Sequence, residues 1–162
     1  LSLGQMWTGP APDDAVRELA RTPEVAALAD RLEQRRLPLP QAEAEIAAYA
    51  TSADNAHLTA LMLAIFDRVE PHRVALMEGI ARYGHKQVDL AARIEDHRHR
   101  MATLEAATPP DFDAIDAQEQ QLDWDTRIFQ DRQHALTYVC ETPVILEQRI
   151  FALARAIAAG LK

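Results

Sequence analysis

From Leu58 to Ile157 the large apolar residues recur three and four positions apart, and no stretch alternates apolar and polar residues two by two. A three-to-four step returns a side chain to the same face of an α-helix, whereas a strand needs a step of two. One stripe runs through Leu58, Leu61, Met62, Ile65, Phe66 and Val69. A second takes in Val74, Met77, Ile80, Ala81, Gly84, Val88 and Ala91. A third joins Ile115, Leu122, Phe129, Leu136 and Val139, and a fourth Leu146, Ile150, Leu153 and Ile157. The vocabulary agrees with the spacing. Only 5 of 162 residues are Gly, and Ala, Leu, Glu, Arg and Gln dominate, all residues that lose little freedom in a helix. The expected fold class is all-α, a bundle of about five helices.

Proline and Thr place the expected boundaries. Residues 1–11 read as an irregular arm and 12–162 as one helical-bundle domain. A first helix over about 13–36 is broken at Thr22-Pro23, where Thr suits the N-cap and Pro the first helical position. Leu37-Pro38-Leu39-Pro40 reads as an extended connector, followed by a short helical piece over 41–50. Thr51 and Asp54 open a helix that Pro71 breaks or kinks. A helix over roughly 72–107 and another over 113–140 flank Pro109-Pro110. So short a connection makes them an antiparallel hairpin. Thr142-Pro143 is expected to start a last helix.

Charge and cysteine content narrow the function classes. The formal net charge is -8, with no block of Lys and Arg to offset it. A phosphate backbone would be repelled, so no nucleic acid is expected as a partner. The lone Cys140 excludes an internal disulfide and a cysteine-based zinc cluster, and reads as a small core or boundary residue. No apolar run reaches the ~18 residues that span a bilayer, which suits a soluble chain. The start at Leu and the irregular arm suggest an extracytoplasmic bacterial setting, with the cytoplasm as the alternative.

No residue pattern names a cofactor, and no Gly-rich phosphate loop or nucleophile elbow is present. Asp54-x-x-His57 and Asp131-x-x-His134 imitate the ligand spacing of di-metal bundles. Asp54, however, is explained as a cap, and Asp131 and His134 fall off the apolar stripe, so both pairs read as surface. On the distal hairpin the inward positions turn polar. There Glu95, His99 and Asp125 are candidate ligands for a metal or small molecule, and Arg98 with Asp125 is a candidate structural ion pair. The metal is possible but not favoured.

Surplus apolar surface is the remaining signal. Trp124, Ile128 and Tyr138 form a second line on the fourth helix, and Val144 and Phe151 lie off the main stripe of the fifth. Two apolar faces on one helix require a second packing partner. The expected function is therefore a non-enzymatic interaction or regulatory protein, binding a protein partner or itself as an oligomer. The alternative is a metal or small-ligand sensor using the polar seam of the hairpin.

Overall fold

The computed structural model describes all of residues 1–162. About 80% of them are helical and none is in a strand. The helices are α1 (Leu3–Met6), α2 (Asp14–Leu19), α3 (Pro23–Leu32), α4 (Leu39–Ala50), α5 (Asn55–Glu105) and α6 (Phe112–Ala158). Helices α5 and α6 pack against each other as a hairpin. The chain forms two compact units, Leu1–Leu76 with Pro143–Lys162, and Met77–Thr142.

Two expected breaks are absent. Pro71 lies inside α5 and Pro143 inside α6, so four expected helices fuse into two. A proline in a helix forfeits one backbone hydrogen bond, the one to the carbonyl four residues back. Here those carbonyls belong to Asp67 and Val139, both at exposed positions where water can serve them. Long flanking segments then outweigh a local defect. The weaker boundaries hold, except that Thr51, expected to open α5 with Asp54, instead ends α4. Thr22 caps α3 with Pro23 in its first turn, although the Thr22 hydroxyl donates back to the Leu19 carbonyl at 2.7 Å instead of accepting from α3. Asp54 caps α5, accepting from the His57 backbone N–H at 2.9 Å and from the His57 ring at 2.7 Å. Those bonds hold the Asp54 carboxyl below its ordinary pKa. The Leu37–Pro40 connector is shorter than expected, because α4 already begins at Leu39 with Pro38 as its cap.

In the first unit, α3, α4 and the near ends of α5 and α6 share a core. Leu32, Ile46, Leu58, Leu61, Met62, Ile65, Leu153 and Ile157 are fully buried there. The amino-terminal arm is not the loose segment expected. It carries the turn α1, and both Met6 and Trp7 join this core. The Trp7 indole N–H donates to the Pro10 carbonyl at 2.8 Å. The chain doubles back closely enough that a Cβ on Gly9 would occupy the indole ring, so only glycine fits. Phe151, expected in a second layer, is partly buried against the same core.

One charged residue ties this unit together. Arg149, on α6, is only 8% exposed. Its Nε and Nη2 donate to the Leu32 carbonyl at 3.1 and 2.6 Å, and its Nη1 to the Leu37 carbonyl at 2.9 Å. Leu32 is the last residue of α3, so its carbonyl lacks a helical partner. The guanidinium sits at the negative end of the α3 dipole, which offsets part of its desolvation. Burial still pushes its pKa below the usual arginine value. Near Pro71, Arg73 bridges α5 and α6, donating to Glu70 at 2.8 Å and to Glu147 at 3.0 Å.

The second unit is the far part of the hairpin. On α5 the inward row is Leu76, Ile80, Tyr83, Gln87, Leu90, Ile94, His97, Met101 and Leu104, all buried or half-buried. On α6 it is Ile115, Gln118, Leu122, Asp125, Phe129, Arg132 and Leu136. Both rows repeat every seven residues, as two helices with one shared seam require. Val139, expected to continue the α6 row, is exposed, but as far as Leu136 that row is the expected one. The α5 row is not: of the expected stripe, only Ile80 faces inward, while Val74, Met77 and Val88 are exposed. Two apolar rows compete on α5. The row with the larger side chains faces inward because it buries more area.

Replacing Arg149 with Met should strand the buried Leu32 carbonyl and the part-buried Leu37 carbonyl and cost about 3 kcal/mol of unfolding free energy, read by urea denaturation. Arg149→Lys, with one compact ammonium in place of the fork, should recover only part of it. A second expectation concerns pH. The Arg73 hydrogen bond holds the Glu70 carboxyl below its ordinary pKa. A depressed carboxylate stabilises the fold above its unfolded pKa and loses that contribution as pH falls through the lower folded value. The stability gap between wild type and Glu70→Gln should therefore be full at neutral pH and close in acid.

Candidate functional site

The hairpin carries both groups of candidate residues, and its two helices position them. The polar seam centres on Asp125, 3% exposed. Its carboxylate accepts from Arg93 Nε at 2.8 Å and Nη2 at 3.3 Å, and lies 3.5 Å from His97 Nε2. His97 Nδ1 stands 2.6 Å from the Gln118 side-chain amide. One heptad on, Gln87 donates to the Phe129 carbonyl at 3.1 Å, and its buried Oε1 has no partner. The hydrogen bond to Asp125 raises the pKa of Arg93.

This arrangement corrects the expected ion pair. Arg98 does not meet Asp125. It pairs with Glu95 at 3.2 Å on the exposed side of α5, and Arg93 takes the expected place. The cause is the rotated phase of α5: with Ile94 and His97 inward, Arg93 flanks the seam and Arg98 turns outward. The candidate ligands separate for the same reason. Glu95 and His99 are 3.7 Å apart and exposed, while Asp125 is buried and already held by Arg93 and His97. No three His, Cys, Asp or Glu side chains anywhere stand close enough together to hold a metal ion. The sequence signal missed was the alternative heptad Leu76-Tyr83-Leu90-His97-Leu104, which would have named His97 and Arg93.

The apolar candidates are placed differently. Every large hydrophobic side chain that the protein exposes lies between Val74 and Ile145. Trp124 is 61% and Tyr138 74% exposed, and Val144 is half exposed. Ile128 is half-buried. Phe151 is the exception, covered by the core of the first unit. Cys140 is exposed, not a core residue. Asp131 and His134 are both exposed as well.

Row geometry explains the exposure. On α6 the positions just before each inward residue are Ala114, Ala117, Gln121, Trp124, Ile128, Asp131 and Ala135, and Tyr138 continues their spacing. They form one nearly uncharged flank. On α5 the equivalent flank is Arg82, Lys86, Asp89, Arg93, Asp96 and Arg100. In an antiparallel pair these two flanks lie on one side of the hairpin. A depression of about 180 Å³ there joins Gly79, Ile80 and Tyr83 of α5 to Ala135, Leu136 and Val139 of α6. On the opposite side the apolar flank belongs to α5 and includes Met77, Ala81 and Val88. The α6 flank there carries Asp116, Glu119 and Asp123.

The first unit offers one cleft lined by several cations, with Arg17, Arg21 and Arg68 around about 310 Å³. Each guanidinium there already has a carboxylate partner, Asp14, Glu18 and Asp30 respectively. No helix is long and apolar enough to cross a membrane. Comparison with protein-family models, curated proteins and solved structures finds no match.

The Asp125 cluster has a lopsided geometry: the Arg93 side chain is exposed and the carboxylate is not. Arg93→Met should lower the urea midpoint more than Asp125→Leu does. The first leaves a buried carboxylate short of its partner, and the second leaves only a solvated arginine. Equal losses in the two variants would show that the pair does not set the stability of the seam.

Proposed function

We propose that this protein is a non-enzymatic interaction module, whose working part is the helical hairpin and whose docking surface is the α6 flank centred on Trp124, Ile128 and Tyr138. The observation that carries this reading is the segregation of exposed apolar residues. Residues 1–73 and 146–162 expose no large hydrophobic side chain, whereas the hairpin exposes nine. Scattered surface apolar residues are ordinary, but a row of them along one helix favours a partner. Each large side chain left in water forgoes roughly 1.5–3 kcal/mol of burial. A neighbour that covered several at once would recover much of that.

The polar seam supports the same reading in a structural role. A buried charge and buried amides between two helices fix register more than they add stability. A fixed register keeps the outer rows in a constant pattern, which a docking surface needs. The candidate ligand set Glu95, His99 and Asp125 is not assembled, so the geometry favours docking over the sensor alternative.

Photo-cross-linking residues placed at positions 124 and 138 should form adducts in cells that express the protein, while the same residue at His134, on the outward face of α6, should not. Equal adduct yields at all three positions, or none, would sink the docking reading.

A further inference from the structure

We propose that the partner of this flank is a second copy of the same chain, so that two hairpins pair face to face as an antiparallel four-helix bundle. This rests on the docking reading and adds the identity of the occupant. Three observations converge on it.

The first is charge. Along α5 the flank reads Arg82, Lys86, Asp89, Arg93, Asp96, Arg100, spaced four, three, four, three and four. That spacing is unchanged on reversal. A two-fold axis beside position 91 sets the flank against its own reverse, as an isologous interface demands. Lys86 then meets Asp96 of the second copy, and Asp89 meets the exposed edge of Arg93, whose Nε and Nη2 already hold Asp125. Each contact occurs twice. The like-charged meeting of Arg82 with Arg100 falls at the ends, where Arg82 has Glu78 at 3.7 Å as its own counter-ion.

The second is size. Cross-helix contacts such as Gln87 with Phe129 and Arg93 with Asp125 set the α5–α6 register. By that register the same axis passes at residues 125–127 on α6. Trp124 therefore packs on Ile128 of the second copy, and Tyr138 lies over its small Ala114. Gln121 lies beside Asp131 of the second copy, whose carboxylate can accept its amide N–H. The two bulkiest side chains of the row fall on an apolar and a small residue, and the one charge in the row meets a donor.

The third is area. The second unit offers two helices of about 29 residues, roughly 43 Å by 20 Å. That is close to the ~800 Å² per partner that a specific interface needs. The other occupant to consider, a different acidic or neutral helix, would set Asp89 and Asp96 against like charge or no charge.

The test is the mass of the full chain by sedimentation equilibrium from about 1 to 200 µM, with helicity checked by circular dichroism. The wild type should be a dimer. Lys86→Glu and Asp96→Lys should each weaken it by about tenfold or more, since each substitution turns two attractive contacts repulsive. The double exchange Lys86→Glu with Asp96→Lys should restore the dimer, because the reversed pattern is again complementary to itself. Tyr138→Glu should give a folded monomer. A wild-type monomer at ~200 µM would overturn the inference, and so would a dimer that the double exchange fails to restore. In the monomer case, acrylamide quenching in a Trp7→Phe background separates the two proposals. A quenchable Trp124 removes only the second copy as occupant, whereas a shielded one removes the docking reading too.

Discussion

Two helices in contact can bury one stripe each, and in this protein that limit governs what the hairpin shows to solvent. The seam of α5 and α6 takes up Leu76, Ile80, Tyr83, Leu90 and Ile94 on one side and Leu122, Phe129 and Leu136 on the other. Both helices own a further apolar row. With no third layer in the second unit, those rows stay outside. Exposed Trp124, Tyr138, Met77 and Val88 are consequences of a two-helix cross-section, and any function of the hairpin surface starts there.

The first unit solves the same problem by adding layers. There α3, α4 and the turn α1 cover the near ends of α5 and α6, and no large apolar side chain remains exposed on those short helices. Arg149 shows how the cover is held. A guanidinium from α6 satisfies the open carbonyl end of α3 and the connector beyond it. The attachment is directional, which apolar packing is not. The two units therefore differ in degree: in the first only Val74, Val144 and Ile145 stay exposed, whereas the second leaves six large apolar side chains in solvent.

Polar groups inside the hairpin fit that contrast. Asp125, His97, Gln118 and Gln87 replace apolar residues at seam positions. They weaken a purely hydrophobic zipper, yet each hydrogen bond specifies one alignment of the helices. Slipping α6 by one heptad would pull Asp125 away from Arg93 and Gln87 away from the Phe129 carbonyl. A flank whose charges repeat in a reversible order depends on such an alignment.

Much of the architecture was legible in the residues alone. The three-to-four spacing of Leu58 to Ile157 and the scarcity of glycine dictate helices, because helix periodicity is a local property of the chain. The turn at Pro109-Pro110, the cap at Asp54 and the break at Thr22-Pro23 are local in the same sense. Pro71 and Pro143 misled, since a local penalty of about 3 kcal/mol is decided against packing that lies far away in sequence. The phase of α5 was also beyond local reading. Val74-Met77-Val88 and Ile80-Tyr83-Leu90 are both acceptable stripes. Only the presence of α6, with Leu122, Phe129 and Leu136 to be covered, selects the bulkier one. That choice moved the Asp125 ion pair from Arg98 to Arg93, separated Glu95 and His99 from Asp125, and turned the opposite row outward. The sequence determines that helices form and where most of them end. Which face each helix buries, and so which residues remain for a partner, is a contest between rows that only the tertiary contacts resolve.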